Sequence, residues 1–197
     1  MYSLFLDLSF DQACFALFQD SSVVCSALVG RDQSHQPCAI WNELLTQQQL
    51  KLANIGCFAC GIGPGSYTGI RNAAATAQAS SYVTEKPIVA VPSLLLYVPD
   101  EWGFYRVALP GGFGGTYTQR IEFSKQGFIF GQPKQIPEKD FVVQADERLI
   151  GKEKIYVSTI AKFVNQEWQK KNLYEATSLP LQYLRKTQAE LTSGVAK

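Results

Sequence analysis

Apolar residues fall into three short blocks at the start of the chain, 2–8, 12–18 and 23–29, separated by turn-like stretches at 9–11 and 19–22. Blocks of this length with polar breaks predict a three-strand meander. The period then changes. Ile40, Trp41, Leu44 and Leu45 recur at helical spacing, which predicts a first helix over 37–45 or slightly beyond. Residues 50–55 lead into Cys57-Phe58-Ala59-Cys60, an uncharged run bounded by glycines that reads as a buried central strand. A glycine-rich loop at 61–69 and an alanine-rich helix from Ile70 to about Thr84 follow, then a strand at 87–91 and a short helix at 94–97. Val98-Pro99-Asp100 reads as a lobe boundary. Beyond it the pattern predicts strands at 105–109, 116–123, 128–130 and 155–157, with a helix at 159–171 that presents Ile160, Phe163, Val164 and Trp168 on one face. Residues 141–150 fit neither period.

The loop and the helix after it are the densest signal. Four glycines and a proline between Gly61 and Gly69 exceed what an ordinary turn needs. Pro64 keeps Gly63 out of the helical region, Gly63 and Gly65 can take positive φ, and Ser66 or Thr68 can cap the helix. No lysine lies between Lys51 and Lys86, so this is not a Walker loop. The dinucleotide fingerprint fails because its third glycine falls on Ser66, and the nucleophile elbow fails because Ser66 directly follows Gly65. A tight crossover between strand and helix is the favoured reading, and an anion held at the capped helix start is the alternative. From Asn72 to Thr84 there is no charge. Ile70, Ala73, Ala74, Ala77 and Ser81 form one face, which suits a sheet. Ala75, Gln78, Ala79 and Tyr82 form another, small or mildly polar, and it suits either a partner or internal burial.

The run at 61–71, Gly-Ile-Gly-Pro-Gly-Ser-Tyr-Thr-Gly-Ile-Arg, resembles the GPGS-(F/Y)-TG-x-R signature of the TsaB (YeaZ) family. Members of that family are non-catalytic subunits of the bacterial machinery that installs threonylcarbamoyladenosine in tRNA. Further matches lie at 4–7 with 13–17, at 87–91 and at 180–185, so the resemblance covers about the first ninety-five residues and the tail. It implies an α/β fold of the two-lobed actin-like ATPase and sugar-kinase (RNase H-like) kind with a reduced second lobe. The expected division is 1–98, carrying the glycine-rich loop (Gly63, Pro64, Gly65, Ser66, Thr68, Gly69) and the partner-binding helix (Arg71, Ala75, Gln78, Ala79, Tyr82), and 99–197, smaller and divergent. The tail from about 179 is expected to dock back on the first lobe. The implied partners are a TsaD-like catalytic subunit and a TsaE-like ATPase, with a homodimer as an alternative and tRNA engaged only indirectly.

The residue inventory argues in the same direction. One histidine in the chain, His35, excludes the H-x-x-x-H metal pair of the catalytic TsaD type. Cys57 and Cys60 have no second ligand pair and sit in a strand, where positions i and i+3 face opposite sides, so zinc and redox roles fail. The family's Asp-Ala-Arg in the second meander is replaced by Pro110, Gly111 and Gly112, and the loop 110–115 offers no acid, base or nucleophile. Asp7 is read as capping the turn at 9–11; the alternative is a vestigial phosphate-facing carboxylate, as in a small actin-fold phosphotransferase or ATPase. No catalytic residue, metal or cofactor is expected. A net charge of +1 gives no general basic surface for nucleic acid. The chain has no stretch of eighteen apolar residues and no basic leader, and its five cysteines are odd in number, so a cytoplasmic protein with free thiols is expected.

Overall fold

The computed structural model describes residues 1–30, 34, 36–111, 115–137, 140–141, 144–152 and 154–184. His35, Gly112 and Arg185, named in the sequence reading, lie outside the described residues. The first sheet takes β1 (Tyr2–Asp7), β2 (Gln12–Gln19), β3 (Ser22–Gly30), β4 (Ile55–Gly61) and β5 (Ile88–Val91) in the order β3-β2-β1-β4-β5. The first three strands pair antiparallel, and β4 and β5 continue parallel to β1. β1, β2 and β4 are near-continuous apolar runs because both faces of the sheet are covered. Leu4, Leu6, Phe15, Phe58 and Cys60 pack with α1 (Pro37–Gln47) and α2 (Tyr67–Thr84) on one face. Phe5, Cys14, Phe18, Cys57 and Val89 look the other way.

The second sheet contains β6 (Gly103–Pro110), β7 (Gly115–Ser124), β8 (Gly127–Phe130), β9 (Lys134–Pro137) and β10 (Arg148–Ile150). Its order is β10-β6-β7-β8, with β9 also on β7. Tyr105, Val107, Leu109 and Ile121 turn inward and join the Phe5 face of the first sheet in one core. The 3-10 turn Ser93–Tyr97 is buried in that core, and α3 (Val157–Gln169) packs against β2, β3 and β5 of one sheet and β8 of the other. The architecture is a two-sheet α/β fold, and among the described residues α3 is the helix that packs on the second sheet.

Three local expectations are corrected. Residues 155–157 form no strand: Ile155 and Tyr156 lead into α3, which starts at Val157, although Ile, Tyr and Val all favour strands. The late strand is β10, whose short segment of arginine and exposed leucine shows no period. The central helix begins at Tyr67 rather than Ile70, since Ser66 at the cap counts from the loop itself.

Candidate functional site

β1, β4 and β5 run parallel, so their C-terminal ends meet at one edge of the sheet and bring together Asp7, the glycine-rich loop and Ser93. The loop is held almost wholly by main chain. Ser66 N donates to Ser9 O at 2.7 Å, Ile62 N to Val91 O at 2.9 Å and Ser93 N to Gly63 O at 2.9 Å. The Ser93 hydroxyl accepts from Gly63 N at 2.9 Å and lies 2.9 Å from that of Ser9. Gly63 takes φ +96° and follows expectation; the peptide to Pro64 is cis. Gly65 does not take positive φ. Its glycine is required because an added Cβ would lie 2.5 Å from Ser9 O, and side chains at Gly61 and Gly69 would strike Asp7 and Leu8 in the same way. The Ser66 hydroxyl caps α2 by accepting from Gly69 N at 3.3 Å, whereas Thr68 is exposed within the first turn.

Asp7 is 1% exposed. Its Oδ1 accepts from Ser9 N at 2.7 Å, which gives it a turn-capping role. Burial raises its pKa above the ordinary 3.8, while the nearby Ser93 and Ser9 groups pull it down less strongly. Gly61 and the β1–β2 turn enclose the carboxylate. Cys57 and Cys60 lie on opposite faces of β4, and burial pushes the Cys57 thiol up to about 12 and the Cys60 thiol well above its ordinary value, so neither supplies a thiolate. Among the described residues no cluster of three His, Cys, Asp or Glu side chains is placed to hold a metal, and no helix is long and apolar enough to cross a membrane.

The exposed side of this region is α2. Ile70, Ala73, Ala74, Ala77 and Ser81 are buried against the sheet. Arg71, Ala75, Ala79 and Tyr82 are exposed and Gln78 half-exposed, so these five side chains share the outer face. Tyr82 is 79% and Val83 78% exposed. At the N-terminal end Arg71 donates to Tyr67 Oη at 3.0 Å, and the Tyr67 ring rests 4.9 Å from that of Tyr183. Tyr183 belongs to the tail expected to dock back on the first lobe. Gln182 N donates to Ile62 O at 2.8 Å, Tyr174 pairs with Ile88 at the free edge of β5, and Leu179 and Leu181 pack beside α1 and α2. The arrangement offers a smooth, weakly polar helical surface on a rigid support.

The family model for tRNA N6-adenosine threonylcarbamoyltransferase, TsaD, matches residues 27–102. The chain is 26% identical over 165 residues to the tRNA threonylcarbamoyladenosine biosynthesis protein TsaB of Escherichia coli K12, covering 81% of this chain and 71% of that protein. It is 30% identical over 141 residues to the uncharacterized protein MG208 of Mycoplasma genitalium, covering 65% and 71%. Two solved structures share the fold. One is a protein with similarity to the peptidase YeaZ from Pseudomonas aeruginosa (TM-score 0.82, 19% identity, 93% of this chain and 99% of that one). The other is YeaZ from Pseudomonas aeruginosa (TM-score 0.80, 18% identity, 92% and 100%).

Proposed function

Since this chain belongs to the TsaB (YeaZ) family, we propose that it serves tRNA threonylcarbamoyladenosine biosynthesis as a non-catalytic subunit that binds and stabilises a TsaD-like catalytic paralogue. The observation that carries this reading is the outer face of α2, where Ala75 and Ala79 are flanked by the exposed rings and methyls of Tyr82 and Val83 without any acidic side chain. Small side chains let a second helix approach to about 8 Å, and the aromatic groups supply the apolar area that such a contact buries. The match of residues 27–102 to the TsaD model supports a partner of the same build, whose corresponding helix would pack on this one. A TsaE-like ATPase completes the assembly in this reading, tRNA is engaged through the complex, and its place is the cytoplasm. Asp7 Oδ1 is engaged by the turn and Gly61 packs against the carboxylate, while Oδ2 is buried without a hydrogen-bond partner among the described residues; this reading keeps Asp7 as a turn cap rather than a phosphotransferase carboxylate.

The experiment introduces Ala75→Arg and Ala79→Arg separately. Both positions are exposed, and arginine is a good helix former, so the isolated protein should keep its melting temperature. Burying an unpaired guanidinium should weaken binding to the TsaD-like subunit by about a hundredfold or more. Threonylcarbamoylation in a reconstituted system should fall with it. Two variants that bind and support modification normally would remove this face from the assembly.

A further inference from the structure

The eighteen residues of α2 carry one charge, that of Arg71. Its guanidinium lies 5.4 Å from the centroid of the Tyr67 ring, and Nη1 donates to Tyr67 Oη at 3.0 Å. Among the described residues no carboxylate pairs with it. It stands close to the positive end of the helix dipole, and no acidic residue in the first turn offsets it, so α2 itself gains nothing from the charge.

The tail brings a second ring to the same spot. The Gln182 N to Ile62 O bond and the packing of Leu179 and Leu181 fix the segment, and the Tyr183 ring lies 4.9 Å from that of Tyr67. Tyr67 is 44% and Tyr183 42% exposed. Burial and the neighbouring Tyr67 raise the Tyr183 pKa, and Arg71 offsets them only in part, so the hydroxyl keeps its proton at neutral pH. Tyr67 Oη accepts from Arg71 and has its own hydrogen to give. The cluster thus presents guanidinium N–H groups and two phenolic O–H groups with no negative charge among them. Arg71, Ala75 and Ala79 follow at i, i+4 and i+8, so the cluster ends the stripe assigned above to the partner.

We propose that Tyr67, Arg71 and Tyr183 form a receptor for one carboxylate side chain of the TsaD-like subunit, which makes the tail, through Tyr183, part of the partner surface. This inference rests on the reading of α2 as the partner-binding helix. The ring of Tyr67 stiffens the guanidinium, and the covered site excludes water, which strengthens a charge-assisted contact. Tyrosine and arginine are also the residues that most often anchor interfaces. A nucleic-acid phosphate fits less well, because backbone binding is built from several cations and this helix holds one.

The test measures binding of the intact chain to the TsaD-like catalytic subunit by titration calorimetry at low and high sodium chloride. Arg71→Gln should weaken binding about tenfold at low salt and flatten its salt dependence. Arg71→Lys keeps the charge without the planar fork and should fall between the two. Tyr183→Phe should lose about threefold, the share of one hydrogen bond. Arg71→Glu should bind least, and lysine in place of one acidic residue of the partner should restore it. Melting temperatures of all four variants should match that of the unaltered protein. If Ala75→Arg abolishes binding while Arg71→Gln and Tyr183→Phe keep the affinity and its salt dependence, the receptor is overturned and the α2 interface stands. If Ala75→Arg binds normally, the interface falls and the receptor with it. An Arg71→Gln variant that lowers tRNA affinity of the assembled complex but not subunit affinity would assign the cluster to a phosphate and equally overturn the proposal.

Discussion

Asp7 shows what one carboxylate costs inside this sheet. Burial raises its pKa above 3.8, so over a window that starts near that value the folded protein keeps a proton that the unfolded chain has lost. The sign follows directly: this contribution is fullest below the unfolded pKa and falls as pH rises through the raised folded value, with a slope of at most about 1.4 kcal/mol per pH unit. Asp7→Asn keeps an oxygen for Ser9 N and removes the titration. Urea unfolding across pH should show the variant gaining on the unaltered protein through the window and running parallel to it above. A constant difference at every pH would mean that Asp7 ionises alike in both states. At this scale the sequence was informative about turn chemistry, since Asp-Leu-Ser already suggests a carboxylate folding back on a nearby amide. It could not show that Gly61 closes over the carboxylate, because that approach joins two parallel strands far apart in the chain.

The strand–loop–helix unit is held by its cap as much as by its glycines. Ser66 satisfies Gly69 N, and no acidic residue stands in the first turn of α2 to reinforce the end. Ser66→Ala should cost about 1 kcal/mol, while Ser66→Asp should preserve the cap and place a favourable charge at the helix start. Thermal unfolding of the two variants checks this, and equal losses in both would show that space rather than hydrogen bonding decides the position. The elements legible in advance were those with a clean period or strong punctuation: the first meander, α1, the loop, α2 and the paired β6 and β7. The outer and inner faces of α2 also followed from spacing alone. β10 was not legible, because three residues with an exposed leucine carry no pattern, and α3 was started late because Val157 suits a strand equally well. At Gly65 the close approach expected of a tight crossover holds and the positive φ does not, since sequence marks where glycine is needed but not whether φ or space demands it.

The two sheets are tied together by one of the molecule's two apolar cores, since only the second of these is confined to the first sheet and its helices. Phe5, Ala16 and Val89 from the first sheet, Val107 and Ile121 from the second, and Ile160 and Val164 from α3 form a continuous apolar cluster. A composition break at 98–100 suggests a boundary, yet the adjoining turn Ser93–Tyr97 is buried within that cluster and Thr159 Oγ1 donates to Val98 O at 2.8 Å. Equilibrium unfolding should therefore be a single transition, with coincident curves from tryptophan fluorescence and far-ultraviolet circular dichroism. Two separated transitions would mean that each sheet holds its own structure and that the shared cluster is a weak seam.

The tail that ties Gln182 to Ile62 and Tyr174 to Ile88 also sets an order in time. A ribosome releases β1, β4 and the glycine-rich loop before the second sheet, but Tyr174 and Gln182, the last partners of the first sheet, emerge only after β6 to β10 and α3 have been made. Until then β5 presents an open edge, the kind of surface on which a nascent chain meets a chaperone or the wrong strand. The first sheet is completed only after the second has been made.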